Sequence, residues 1–176
     1  KLIHALQDRD HDGLNIHHVE QKQSRGIGNA VMQVKNKISP GEYFLLLYGD
    51  ILTAENIFSK IQQSFHAFKS PVASICLPPS NQQFGNVFLN AQMDITKIVE
   101  KPKSNNLGNY VLAGVFILPA SFFQLLESNG SSMERALKKM VAGDGLRASM
   151  WEDEWLDVVR PWEILTANKM IMDSWG

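Results

Sequence analysis

Two aspartates in this sequence stand directly after short apolar runs. Asp50 ends the stretch YFLLLYGD, just after Gly49, and Asp157 ends the stretch WLD. A carboxylate at the end of a buried strand must be solvated, paired or bound, because an isolated buried charge costs too much free energy. Two carboxylates that converge from separate strands suit Mg²⁺, which takes a few oxygen ligands and leaves other positions to water and phosphate.

Each aspartate also has a structural interpretation. Asp50 could cap a helix that begins near Ala54, since Asp is common at helix N-termini in strand-to-helix loops. Asp157 could cap the last helix or pair with Arg160. The spacing alone leaves these interpretations open beside the metal site.

Two further stretches carry groups that bind phosphate or sugar. IVEKP places Glu100 and Lys101 side by side at a strand end. Lysine is a usual partner of phosphate, and glutamate accepts hydrogen bonds from hydroxyl groups. In SRGIGNAV, Gly26 and Gly28 precede a helix that starts near Asn29, so the backbone there can approach a ligand. Taken singly, each stretch also has a structural explanation. Glu100 and Lys101 could be an exposed charged pair, and the two glycines could form the entry turn of the helix.

The elements that must position these residues alternate between short apolar runs and longer amphipathic stretches, which is the pattern of an α/β layer fold. The run at residues 43–48 predicts a strand buried on both faces. A turn at residues 90–94 predicts that part of the sheet is antiparallel. The predicted strands are NIHHVEQ, YFLLLY, VASICL, FGNVFL, ITKIVE, YVLAGVFIL and LRASMWE.

Apolar spacing also predicts helices between the strands. AENIFSKIQQSFHAF has Thr53 as its expected N-cap, SSMERALKKMVAG ends at Gly143, and PWEILTANKMIMDSW begins with Pro161 in its first turn. The predicted stripe of the last helix comprises Ile164, Leu165, Asn168 and Ile171.

Composition narrows the class of protein. The chain has 176 residues, of which 44% are hydrophobic and 20% charged, and this fits one globular domain. A net charge of -1 without runs of one sign predicts no nucleic-acid partner and no membrane surface held by charge. The single cysteine, Cys76, allows no internal disulfide and is predicted to be a small core residue. A reducing compartment, the cytoplasm, is therefore expected.

The order of these stretches resembles that of the sugar-1-phosphate nucleotidylyltransferases, from about residue 23 to residue 169. The resemblance is carried by G-x-x-x-A before a helix, a strand ending GD, a strand ending EKP, N-x-x-x-x-G, and W-x-D-x-x-x-P-W-x-x-x-x-A-N. The last part, WLDVVRPWEILTANK, is similar to archaeal-type members, in which a left-handed parallel β-helix often follows the catalytic domain. The resemblance implies a Rossmann-like fold with a mixed, mostly parallel sheet flanked by helices, and one catalytic domain over residues 1–176.

Position by position, the resemblance implies a role for each candidate residue. Asp50 and Asp157 would be the ligands of a catalytic Mg²⁺, Glu100 would bind the sugar, and Lys101 would hold the sugar phosphate. The other implied substrate-binding positions are Gly26, Gly49, Asn109 and Gly114.

The implied reaction joins a nucleoside triphosphate and a sugar 1-phosphate into a nucleoside-diphosphate sugar and pyrophosphate, and the family often forms homo-oligomers. Its glycine-rich nucleotide-binding loop, with an Arg and a following Lys, is missing from this sequence and would precede Lys1. The chain is therefore expected to be N-terminally truncated and inactive alone. The alternative is a catalytically inactive regulatory or scaffolding relative that binds sugar phosphate or an active partner subunit.

Overall fold

The computed structural model describes residues 15–77, 84–100 and 108–174. Its strands come in groups that are separated by helices. The strands are β1 (Tyr43–Leu47), β2 (Ile51–Thr53), β3 (Val72–Cys76), β4 (Gly85–Leu89), β5 (Ile95–Glu100), β6 (Tyr110–Pro119), β7 (Arg147–Trp151) and β8 (Trp155–Asp157). The helices are α1 (Ile27–Met32), α2 (Ile57–Phe68), α3 (Phe122–Ser128), α4 (Met133–Ala142) and α5 (Glu163–Ser174), with a 3-10 turn at Lys35–Lys37.

The long strand β6 is the centre of the main sheet. Strands β1, β3 and β4 all run antiparallel to it, and β5 pairs antiparallel with β4. The mixed α/β fold is confirmed, and the turn at residues 90–94 joins β4 to β5 as predicted. The balance of directions differs from the expected mostly parallel sheet. Among the described strands only β3 and β7 pair in parallel, because β6 enters the sheet antiparallel to each of its neighbours.

Helices cover both faces of this sheet. Helices α3 and α4 pack on one face, and α2 packs on the other. The first core cluster includes Phe116, Leu118, Phe122, Leu126 and Met140, and the second includes Ile61, Val72, Val115, Ile117 and Trp151.

Strand β1 is half-exposed, so the prediction that both of its faces are buried is wrong. Phe44 turns inward and stacks on Phe123 with 5.1 Å between ring centroids. Tyr43, Leu45 and Leu47, on the opposite face, are 42–45% exposed. Among the described strands β1 pairs only with β6, and an apolar run does not tell how many neighbours a strand has.

One predicted strand and the start of one predicted helix also differ from the structure. NIHHVEQ forms no strand in the structure, and all of it except Gln21 is exposed. The helix predicted in AENIFSKIQQSFHAF begins at Ile57, and its N-cap is Asn56 instead of Thr53. The Asn56 side chain accepts hydrogen bonds from two backbone amides, while Thr53 lies in β2. An amide side chain with free amides in reach is a strong cap, so it decides where the helix starts.

The C-terminal helices show one confirmed and one wrong prediction. Helix α4 is capped by Ser132 and ends at Gly143, as predicted. Helix α5 begins at Glu163, and its buried residue is Met170. Leu165 is 74% exposed, so the predicted apolar stripe does not face the core.

Two further observations concern the cysteine and the helices. Cys76 is buried in the core as predicted, and burial raises the pKa of its thiol to about 12. In the residues that the structure describes, the helices are too short or too polar to cross a bilayer.

Candidate active site

An open cleft of about 900 Å³ lies beside the middle of β6. Five of the predicted site residues line it, and two described ones do not: Gly49 and Asn109 are exposed and stand outside it. Lys101 lies outside the described residues. The five residues that the fold brings together are Gly26, Asp50, Glu100, Gly114 and Asp157.

A two-stranded ribbon, formed by β2 and β8, brings the backbones of the two aspartates to neighbouring positions. Ile51 stands opposite Asp157 in its antiparallel register, and the Val158 amide donates to the Asp50 carbonyl at 2.9 Å. The backbone pairing therefore brings together two acids that are far apart in the sequence. These three-residue strands show no periodicity, which is why the sequence did not predict the ribbon.

Hydrogen bonds to the middle of β6 hold the ribbon and Tyr48, which precedes it. The Trp155 indole Nε1 donates to the Ala113 carbonyl at 3.0 Å, and the Tyr48 amide donates to the Gly114 carbonyl at 2.9 Å. A short two-stranded ribbon is marginal on its own, so these bonds fix where the aspartates stand.

The helix-capping alternative for Asp50 is wrong. Helix α2 begins after Asn56, whose Oδ1 accepts from the Phe58 and Ser59 amides at 3.1 and 3.2 Å. Asp50 instead precedes β2 and lines the cleft. At the start of α5, the Glu163 side chain accepts hydrogen bonds from backbone amides.

Gly114 shapes the floor of the cleft. Its φ of +81° is a left-handed conformation that favours glycine. A Cβ here would lie 2.8 Å from Ile51 Cγ1 and 3.2 Å from Tyr48 Cδ2. The glycine is therefore needed for the ribbon and Tyr48 to approach β6.

The Glu100 carboxylate lies over a second glycine, which the sequence reasoning missed. Gly85 in β4 stands opposite Glu100 in β5, and a Cβ on Gly85 would lie 2.9 Å from Glu100 Oε2. The missing side chain leaves room for the carboxylate at the cleft. A glycine inside the strand FGNVFL is the signal that could have revealed this close approach.

Tyr48 is another missed residue. Its ring contacts that of Phe116, with 5.7 Å between centroids, and it lines the cleft. Burial, and then the negative charges of Glu100 and Asp50, raise the pKa of its phenol far above the ordinary value. At neutral pH it is thus a protonated group that can donate a hydrogen bond beside two acids.

The turn before α1 supplies open backbone at the cleft. Gln21 Nε2 donates to the Gly26 carbonyl at 3.1 Å and to Asn29 Oδ1 at 3.0 Å. Gly26 has a φ of +87°, and the space beside it is open. Gly28, by contrast, packs so closely that a Cβ would lie 2.2 Å from the Ser131 carbonyl oxygen. Packing explains Gly28, and Gly26 is the glycine that a ligand can approach.

Cations face the same cleft as the acids. Arg25, Arg135 and Arg160 line it, and the Arg160 guanidinium lies 5.5 Å from the centroid of the Trp162 ring. Guanidinium groups are good partners of phosphate oxygens, so the cleft suits a ligand that carries phosphate.

The donor chemistry of the cleft fits Mg²⁺. Within residues 15–77, 84–100 and 108–174 no three His, Cys, Asp or Glu side chains form a metal-binding group. A metal held by Asp50 and Asp157 would take its other ligands from water and substrate. Mg²⁺ commonly accepts one or two carboxylates plus water and phosphate oxygens.

A family model and several curated relatives match most of this chain. A family model described as nucleotidyl transferase matches residues 2–174. The bifunctional protein GlmU of Methanococcus maripaludis is 30% identical over 170 residues, which cover 93% of this chain and 39% of that protein. The probable mannose-1-phosphate guanylyltransferase 1 of Oryza sativa subsp. japonica is 26% identical over 168 residues, 92% of this chain and 46% of that protein. The chain spans less than half the length of these relatives.

Solved structures share the fold. UDP-glucose pyrophosphorylase from Acinetobacter baumanii superposes with a TM-score of 0.79 at 21% identity, covering 98% of this chain and 68% of that one. A UTP-bound UGPase from Acinetobacter baumannii has a TM-score of 0.77 at 20% identity, covering 98% and 64%. TM-scores at this level show a common fold, so the predicted mixed α/β fold is confirmed.

Proposed function

Because the chain belongs to the nucleotidyl transferase family, we propose that this protein transfers a nucleotidyl group from a nucleoside triphosphate to a sugar 1-phosphate, with Mg²⁺ as cofactor. The observation that supports the proposal is the pairing of β2 with β8, which brings the backbones of Asp50 and Asp157 together so that both residues line one cleft with Glu100. Two of the relatives are sugar-1-phosphate and sugar-nucleotide enzymes by name.

The reaction needs no protein nucleophile. A phosphate oxygen of the sugar 1-phosphate attacks the α-phosphorus of the triphosphate, the bond from that phosphorus to the bridging oxygen breaks, and pyrophosphate leaves with the electron pair. Since both reactants are anions, the protein must place them in line and neutralise charge. A Mg²⁺ held by Asp50 and Asp157 would supply part of that neutralisation when bound.

Other residues of the cleft bind and orient the substrates. The Glu100 carboxylate, lying over Gly85, accepts hydrogen bonds from sugar hydroxyl groups. The protonated Tyr48 phenol donates one beside it. The open backbone at Gly26 approaches the nucleotide, and Lys101 is kept as the residue predicted to hold the sugar phosphate.

The test is pyrophosphate release by the full-length protein from its source. Each of several nucleoside triphosphates is combined with each of several sugar 1-phosphates, with and without Mg²⁺. The proposal predicts release that depends on both substrates and on Mg²⁺, with one preferred pair. Binding of a sugar 1-phosphate without release from any pair would overturn it and support the inactive, sugar-phosphate-binding relative.

A further inference from the structure

The side chain of Glu163 holds the turn that follows Asp157. Glu163 Oε2 accepts hydrogen bonds from the Val159 amide at 2.7 Å and from the Arg160 amide at 2.6 Å. The Glu163 amide in turn donates to the Arg160 carbonyl at 2.9 Å. One carboxylate oxygen therefore fixes two successive amides of the segment between β8 and α5.

This turn continues the backbone bonds that align the two aspartates. The Val159 amide also lies 3.1 Å from the Asp157 carbonyl, so it is shared between that carbonyl and the Glu163 carboxylate. The preceding amide, that of Val158, donates to the Asp50 carbonyl. A shift of the turn would thus move the backbone that carries Asp157 relative to Asp50.

The charge of Glu163 is already used within this arrangement. Hydrogen bonds from backbone amides to a carboxylate are short and strong, and the N-terminus of a helix favours negative charge. Glu163 lines the cleft and is partly buried, yet one of its carboxylate oxygens points to backbone amides. Its contacts therefore suit it to orient its neighbours more than to bind substrate itself.

We infer that Glu163 is a positioning residue for the metal site, which it serves by fixing the turn at residues 157–160. It holds the backbone of Asp157 next to that of Asp50 and directs Arg160, whose guanidinium lies over Trp162, toward the same cleft. The catalytic use of this metal site rests on the proposed nucleotidyl transfer. The hydrogen bonds of Glu163 are observed independently of that proposal. Groups that orient metal ligands typically change metal affinity or activity by about 10- to 100-fold.

A plain helix cap is the competing explanation, since a glutamate near the start of a helix often accepts from amides there. Asn56 provides a matched control. It caps α2, which has 12 residues like α5, and it also accepts from two amides. Asn56 is not among the residues that line the cleft in the described part of the chain.

The experiment compares Glu163→Ala, Glu163→Gln and Asn56→Ala in the full-length protein. Binding of Mn²⁺, followed by electron paramagnetic resonance with nucleoside triphosphate present, is measured beside the thermal unfolding midpoint, kcat and KM. Glu163→Ala and Asn56→Ala should each lower the midpoint by about 2–4 °C. Because the nucleotide also binds Mn²⁺, the affinity compared is that of Mn²⁺ for the complex of protein and nucleotide. Only Glu163→Ala should weaken this affinity, by about 10- to 100-fold, with a matching loss of kcat. Glu163→Gln keeps an oxygen acceptor and should restore most of both.

Wild-type Mn²⁺ binding in Glu163→Ala, together with a lowered midpoint, would overturn the inference and leave a plain cap. Equal loss of Mn²⁺ binding in Asn56→Ala would also overturn it. If Glu163→Ala does not fold, Glu163→Asp, with a shorter reach, should show intermediate Mn²⁺ affinity, and wild-type affinity there would overturn the inference. A wild-type protein that binds Mn²⁺ but releases no pyrophosphate would reject the proposed function while the effect of Glu163 on the metal still supports the positioning role.

Discussion

Asp157 owes its place in the cleft to the backbone pairing of β8 with β2. It is the last residue of β8, and Ile51 faces it across the ribbon. If it holds Mg²⁺, Asp157→Asn should lower turnover at least about a hundredfold, because a neutral amide is a poor ligand for a hard cation. The thermal midpoint should change by no more than about 2–4 °C, since Asn has nearly the shape of Asp and the backbone pairing of β2 with β8 does not use the side chain.

Asp153→Asn is the control for this change. Asp153 is exposed, lies in the segment between β7 and β8, and does not line the cleft. Its turnover should equal that of wild type in the same assay. Equal turnover of Asp157→Asn and wild type would remove Asp157 from the metal site.

Cys76 should be chemically silent in the folded protein. It is 2% exposed, and burial raises the pKa of its thiol to about 12, so almost no thiolate is present at pH 8. A disulfide reagent such as dithionitrobenzoate should leave the native protein unlabelled and label it fully in guanidinium. Rapid labelling of the native protein would show that β3 is more accessible than the structure has it.

At the scale of elements, the contact between the ribbon and β6 depends on Gly114. Gly114→Ala would force a Cβ to within 2.8 Å of Ile51 and would strain a φ of +81°. Gly41→Ala is the control, since its φ is +86° and nothing lies within 4 Å of the added atom. In urea unfolding, Gly41→Ala should cost about 1–2 kcal/mol from backbone strain alone. Gly114→Ala should cost about 1–3 kcal/mol more because of the clash. Equal costs would mean that the ribbon does not rest on Gly114.

The elements also show what a sequence can predict. ITKIVE and SSMERALKKMVAG carry their own period and caps, and both became the predicted strand and helix. The ribbon has only three residues in each strand, so its existence depends on partners such as Ala113 and Gly114 and not on a local pattern. NIHHVEQ contains the β-branched residues Ile16 and Val19, but a strand needs a neighbour to pair with, and the described residues provide none for it.

At the scale of the whole molecule, the cleft lies where the neighbour of β6 changes. Strand β4 pairs with the start of β6 and β1 with its end, and the bend at Gly114 lies between them. The order of motifs along the chain predicts Asp50, Glu100 and Asp157 as site residues, but it does not show that β1 and β4 meet β6 beside them. It could not show Tyr48 or Gly85, because their place in the cleft depends on which strands meet there.

The position of the bound metal tests the proposed roles of Asp50 and Asp157. Crystals of the full-length protein grown with Mn²⁺ and a nucleoside triphosphate would give an anomalous signal at the bound ion. We expect the strongest peak between Asp50 and Asp157, with a carboxylate oxygen of each about 2.0–2.2 Å away. A peak elsewhere, or one that neither aspartate contacts, would show that Asp50 and Asp157 do not hold the metal.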